Sequence, residues 1–205
     1  MVAGINMMNT FWKIKDKMNH DIRKYGTLGH APGTWEAALT LLSMPKGSAT
    51  VLNAGCGKFF PVIPNYELWH TDIRKVKKKG INFQRADLNK DLPYKYDTFE
   101  GIIAMEVIEH LENPHHFLKE ATRVATDWIL LTYPNNESMD SRAHYHQTGR
   151  FPWFSEEHAR VNGHISPIFS WQVRHILKKL KWKIEDTRYN DPLVKDVTVQ
   201  RLIPK

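Results

Sequence analysis

Val51-Leu52-Asn53-Ala54-Gly55-Cys56-Gly57 is an apolar run that ends in two glycines one residue apart. Three apolar residues in four, Val51, Leu52 and Ala54, predict a short buried strand. Glycines directly behind it let the backbone turn sharply and approach a ligand closely. The run departs from a dinucleotide-binding loop. That loop needs a third glycine three residues after the second, and Phe60 stands there, followed by Pro61 and Pro64. A pyrophosphate resting on a long helix N-terminus is therefore not expected.

Downstream, strands and helices alternate. Strands are predicted at Ala49–Asn53, Glu67–Ile73, Ile81–Arg85, Phe99–Ala104 and Asp127–Tyr133, the last stopped by Pro134. A helix is expected to start near Glu106, and others over Pro114–Thr126 and Ser170–Leu180. This alternation argues for a parallel sheet covered by helices on both faces. Trp182–Tyr189 and Val194–Ile203 are rich in β-formers and close enough to pair as an antiparallel hairpin. Upstream, Met7, Phe11, Ile14, Met18, Ile22 and Tyr25 recur at spacings of four and three, one face of an amphipathic helix ended by Gly26 and Gly29. A second helix is expected from about Trp35 to Leu42, with Thr34 as its N-cap. We therefore expect one domain over 1–205, with a helical cap over 1–45.

Two acids follow the predicted strands. Trp69-His70-Thr71-Asp72-Ile73 ends the second strand on Asp72, which can accept hydrogen bonds from both hydroxyls of a ribose. Ala86-Asp87-Leu88-Asn89 follows the third, and Asp87 can meet an adenine amino group. The fourth strand runs into Ala104-Met105-Glu106-Val107-Ile108-Glu109-His110-Leu111. All these points fall at the carboxyl edge of one sheet, where open α/β folds bind ligands.

In their order and spacing, these motifs from Val51 to Pro134 resemble the class I S-adenosylmethionine-dependent methyltransferases, especially the group called type 11. The glycine loop matches at Asn53, Gly55 and Gly57, the ribose acid at Asp72, the adenine-side acid at Asp87, and the signature after the fourth strand at Glu106 to Leu111. The resemblance implies a Rossmann-like, seven-stranded, mostly parallel sheet with the C-terminal hairpin. It also implies S-adenosylmethionine as cofactor, held by Asn53, Gly55, Cys56, Gly57, Asp72, Ile73, Asp87, Leu88, Met105 and Glu106. Two positions depart from it. The family often has an acid at Asn53 and a third glycine at Phe59. A subset of the family opens its loop with Leu-Asn-x-Gly-Cys-Gly, as this chain does.

Methyl transfer to oxygen usually needs a general base, and histidine suits neutral pH. His110, beyond the fourth strand, and His164, in Asn162-Gly163-His164-Ile165-Ser166-Pro167, are the candidates; His144 and His146 stand further out. The stretch 135–169 holds few apolar runs and much His, Arg and aromatic side chain, and a connection this long is expected to be a substrate lid. A helix from Glu106 puts Glu106, Glu109 and His110 on one face, where His164 could join them around a metal. The resemblance to type 11 enzymes, in which the same run is common without a metal, implies instead that Glu106 sits beside the cofactor and Glu109 serves the helix N-terminus, so no metal is expected.

Composition bounds the partners. Lysine plus arginine number 29 against 22 acids, a net charge of +7 over 205 residues. That excess is small for a nucleic-acid binder, and no RNA-binding module is recognisable. The leading expectation is a small-molecule or glycan-type acceptor methylated on O or N. The alternatives are an RNA methyltransferase similar to the metal-assisted small-RNA 2′-O-methyltransferases, and a non-catalytic cofactor-binding scaffold. One cysteine, Cys56, excludes an intrachain disulfide, and no apolar run approaches membrane-spanning length. Both point to the cytoplasm.

Overall fold

The computed structural model describes residues 34–42, 49–61, 63, 65–190 and 197–205. The expected helix over Met7–Tyr25 and its terminating glycines lie outside the described residues. Seven strands form one sheet: β1 (Ala49–Ala54), β2 (Tyr66–Asp72), β3 (Asn82–Arg85), β4 (Phe99–Met105), β5 (Ala125–Pro134), β6 (Trp182–Tyr189) and β7 (Val197–Pro204). Their order is β3-β2-β1-β4-β5-β7-β6. β1 to β5 are parallel, and β7 runs antiparallel between β5 and β6. The chain moves outward from β1 to β3, then crosses to β4 on the other side of β1. The order thus reverses between β1 and β4, which opens a crevice at their carboxyl ends.

Both sheet faces are buried, which is why the central strands are almost continuously apolar. Leu52, Ala54, Ile102, Ala104, Ile129 and Leu131 point to one face. There they meet Phe117, Leu118, Ala121 and Val124 of α2 (Pro114–Val124) and Val173 and Leu177 of α5 (Ser170–Lys179). Val51, Ile103, Met105 and Leu130 point to the other face, covered by Ala38 and Leu41 of α1 (Thr34–Leu41). Gly101 of β4 lies under the Trp128 ring; a Cβ there would collide with that ring.

Three expectations change. Thr34 is the first residue of α1 rather than its cap. α2 ends at Val124 because Ala125 already pairs with Phe99 as β5 begins. Most consequential, no α-helix starts near Glu106. Glu106 turns left-handed, φ 50°, and only Ile108–His110 forms a single 3-10 turn. Pro114 has no N–H to offer the His110 carbonyl four residues back, so a helix begun there cannot continue. The chain restarts at Pro114 with Asn113 as N-cap, its side chain accepting from the His116 N–H at 3.0 Å.

The stretch 135–169 folds as α3 (Met139–Thr148) and α4 (Glu156–Asn162) joined by an aromatic loop. Each is capped by a serine, Ser138 or Ser155, and ends on a left-handed glycine, Gly149 or Gly163. Among the described residues no helix is long and apolar enough to cross a membrane.

Candidate active site

A cavity of about 810 Å³ fills the crevice at the carboxyl ends of β1, β2 and β4, within the range of small-ligand sites. Of the residues expected from sequence, Gly55, Cys56, Asp72, Ile73, Asp87, Leu88, Met105, Glu106, His110 and His164 line it. Asn53 and Gly57 do not. His144 and His146 sit exposed on α3, away from the cavity.

The glycine loop is shaped by close approach. Gly55 has φ 67°, and a Cβ on it would lie 2.6 Å from Val107 Cγ2. Any side chain there must push Val107 off the cavity wall. Asn53 works from behind the loop. It is 2 % exposed, and its Nδ2 donates to the Phe59 carbonyl at 2.8 Å and to His70 Nδ1 at 3.2 Å. A carboxylate could donate to neither. Burial, with Lys78 nearby, pulls the His70 imidazole down to about 4, so it is neutral and able to accept. The asparagine that departs from the family pattern is thus matched to a buried neutral histidine on the next strand. Phe59, where the family's third glycine would stand, packs against the Val51 face of the core and also lines the cavity.

Asp72 is 5 % exposed. Its Oδ2 accepts from the Gly57 N–H at 2.8 Å; its Oδ1 accepts from the Arg74 N–H at 2.8 Å and from Arg74 Nε at 3.2 Å. The carboxylate is therefore fixed at the cavity wall by the loop it faces, with one lone-pair site on Oδ2 left for a ligand. Asp87 is oriented by the Asn89 N–H at 3.0 Å. Asn89 Oδ1 in turn accepts from the N–H groups of Glu112 and Asn113, which ties the loop after β3 to the start of α2. Arg74, Asn89, Val107, Trp153 and Asn162 were missed as lining residues. Arg74 and Asn89 sit two positions beyond a recognised acid, which is the signal that could have found them.

Acids and imidazoles gather on the turn after β4 and at His164. Glu106 Oε1 accepts from the Thr132 hydroxyl at 2.7 Å, and Thr132 Oγ1 accepts from the Glu106 N–H at 2.9 Å. Burial raises the Glu106 carboxyl to about 7 despite that bond. Glu109 is 0 % exposed, and burial, with Glu106 nearby, raises its carboxyl well above the usual range. Neither Glu109 oxygen has a hydrogen-bond partner among the described residues. The His110 and His164 rings meet edge to face at 4.8 Å, with His110 Nε2 3.9 Å from Glu109 Oε1. His164 Nδ1 bonds the Trp153 carbonyl at 3.1 Å. Burial lowers both imidazoles, His164 to about 4, so both are neutral at pH 7.

The cavity wall thus combines acids, a close-packed glycine and neutral imidazoles. Residues 52–127 match the family model described as "Methyltransferase domain". No curated protein matches the chain in sequence. Solved structures share the fold at low identity. A chain of the Haloferax volcanii complex containing the Trm112 methyltransferase activator aligns with a TM-score of 0.63 at 12% identity, covering 94% of this chain and 98% of that one. A SAM-dependent methyltransferase from Thermotoga maritima gives 0.61 at 16%, covering 95% and 100%. Magnesium protoporphyrin IX methyltransferase from Synechocystis PCC 6803, with bound SAH, gives 0.57 at 17%, covering 83% and 79%.

Proposed function

We propose that this chain, a class I S-adenosylmethionine-dependent methyltransferase of the type 11-like group, methylates an O or N atom of a small-molecule or glycan-type acceptor. The observation that carries the reading is the make-up of one cavity wall, which brings Asp72 and Asp87 together with His110 and His164. The cofactor supplies a methyl group activated on a sulfonium. The protein's share of the work is positioning, which is the larger part of catalysis when the leaving group is already good.

The residues fit the cofactor's chemistry. Asp72, held by Gly57 and Arg74, keeps one lone-pair site on Oδ2 for a ribose hydroxyl, and release of the Arg74 Nε bond would free a second on Oδ1. Asp87 accepts from the adenine amino group, beside Leu88. Gly55 leaves room for the ligand, and Met105 and Ile73 close apolar walls around it. His110 and His164 line the cavity and burial keeps both imidazoles unprotonated, which suits them to take the proton of an acceptor O–H or N–H. The stretch 135–169 acts as a lid, because Trp153, Asn162 and His164 reach the cavity from it. The single cysteine and the absence of an intrachain disulfide fit a cytoplasmic enzyme.

A direct test is turnover of labelled S-adenosylmethionine against panels of hydroxylated and amino-bearing small molecules, saccharides and RNA. Transfer to a small acceptor, reduced by His110→Ala, supports the proposal. Transfer to RNA alone would replace it with a second reading. That reading has one observation behind it. Arg74 lines the cavity, and the exposed Lys75, Lys77, Lys78 and Lys79 extend a basic strip from it along the surface.

A further inference from the structure

A second recess, of about 260 Å³, opens between α3, the aromatic loop and the start of α5. Its wall is a run of four rings. Tyr145 stacks on Phe151 at 4.8 Å, Phe151 meets Phe169 edge to face at 5.3 Å, and Trp171 lies nearly parallel to Phe169 at 6.5 Å. Tyr145 and Trp171 are exposed, Trp171 by 58 %. Asn136, only 2 % exposed, also lines the recess. Its Nδ2 donates to the Ile168 carbonyl at 2.9 Å, while its Oδ1 is buried with no partner among the described residues. A buried amide oxygen of this kind is unfavourable until a donor reaches it. We infer that this recess is a subsite for a neutral sugar ring, and that the acceptor is a glycan whose chain occupies recess and cavity together.

The ring spacings decide how a ligand lies. A flat base slipped between two rings needs at least about 7 Å between them, two van der Waals contacts deep. All three spacings are shorter, so a ligand rests on the outer faces of the rings. A pyranose suits such a platform: one face is made of C–H groups, which the negative face of an aromatic ring attracts, and its rim carries hydroxyls. The polar groups match that rim. Asn136 Oδ1 and the Glu137 carboxylate can only accept, so the ligand must bring donors. Glu137 Oε2 already accepts from the Ser170 N–H at 2.8 Å, which leaves its other oxygen. Arg142 supplies donors; its guanidinium makes no hydrogen bond or ion pair among the described residues. His146 adds an imidazole that can donate or accept. One guanidinium beside one carboxylate suits a neutral ligand and disfavours a polyanion such as RNA.

The recess is held in shape by the fold. The bonds from Asn136 to Ile168 and from Ser170 to Glu137 fasten the segment after β5 to the start of α5. Arg142 and Tyr145, three apart on α3, share one helix face. The recess also adjoins the cavity. Pro134 and Trp153 line the cavity, and Asn136 and Phe151, each two residues along the chain, line the recess. Two residues span at most about 7 Å. A compact acceptor held in the cavity alone has no use for a ring platform outside it, whereas a chain of linked sugars can fill both. This rests on the proposed function for the chemistry in the cavity and narrows its acceptor to a glycan.

The test titrates the full chain, with and without SAH, with glucose-, mannose- and galactose-based trisaccharides, with AMP and with a short oligouridine. Binding is read from the indole N–H NMR signals, that of Trp171 being assigned by its loss in Trp171→Phe. SAH binding is measured in parallel by calorimetry. A neutral trisaccharide is expected to shift the Trp171 signal. Trp171→Ala and Arg142→Ala, both at exposed side chains, should each weaken that binding roughly tenfold while SAH binding persists. With the bound saccharide as methyl acceptor, Trp171→Ala should raise KM and leave kcat. No shift by any saccharide up to the millimolar range would overturn the subsite. So would saccharide binding indifferent to both changes, or a shift produced by AMP or oligouridine alone. Saccharide binding at Trp171 without SAH binding would sink the methyltransferase reading and leave the sugar site standing. Transfer to a small acceptor with no saccharide shift would do the reverse.

Discussion

Asn53 illustrates what a single position can and cannot tell. From sequence it stands in a cofactor loop and is expected to touch the ligand. In the structure it lies behind the loop, donating to the Phe59 carbonyl and to His70. Its true partner was hidden because His70 is seventeen positions away and reaches Asn53 only through the β1–β2 register. Asn53→Asp replaces a donor with an acceptor facing two acceptors. We expect it to destabilise the fold by roughly 2–3 kcal/mol, a lost buried bond plus an unpaired group. Chemical denaturation of the variant checks this; an unchanged midpoint would remove Asn53 as the loop's brace. Asp72, by contrast, was legible, because an acid at a strand end needs no long-range partner to be recognised. At Glu109 the sequence showed only an acid in a motif. Its lack of hydrogen-bond partners depends on the fold around it.

At the scale of elements, strands were read more accurately than the segments between them. β6 begins and ends where sequence placed it, because a half-buried strand beside a turn signals itself locally. α3 and α4 were not seen as helices. α3 buries only Ser141 and α4 buries none of its residues, so neither carries an apolar stripe with a 3.6-residue period. Thin burial also predicts their behaviour: amides of α3 and α4 should exchange faster than those of β4 and β5, and slow when cofactor and acceptor are both present. Hydrogen exchange of the free protein, with protection in 139–162 equal to that of the sheet, would make this a fixed cover. α2 offers a test of opposite character. Glu120 accepts from Arg123 Nε at 2.9 Å and Nη2 at 2.6 Å and from the Leu92 N–H at 2.8 Å. Arg123 chiefly, against the effect of burial, holds the Glu120 carboxyl below the usual range. A carboxyl whose folded pKa is lowered stabilises above its unfolded value, about 4.3, and that contribution fades as pH falls through the folded value. Acid unfolding should therefore be less steep in Glu120→Gln, which should also cost about 2–4 kcal/mol at pH 7. Parallel pH–melting curves for the two proteins measure both effects.

For the whole molecule, alternation of strands and helices was enough to foresee a mostly parallel sheet with a terminal hairpin. The reversal between β1 and β4 then explains why residues as distant as Gly55, Asp72, Asp87 and Glu106 meet in one cavity. Net charge was a weaker guide. Arg74, Lys75, Lys77, Lys78 and Lys79 are exposed, and the chain carries a net +7. If these cations only solvate the surface, RNA binding should be weak and vanish near physiological salt; a tight complex with a steep salt slope would favour the nucleic-acid reading. The central claim is that this cavity holds S-adenosylmethionine with its ribose on Asp72. Calorimetry of the full chain with S-adenosylmethionine tests it most directly. We predict one site, weakened by Asp72→Ala by about 2–3 kcal/mol, roughly 30- to 150-fold. No heat of binding to the folded wild-type protein, or equal affinity in the variant, would contradict it.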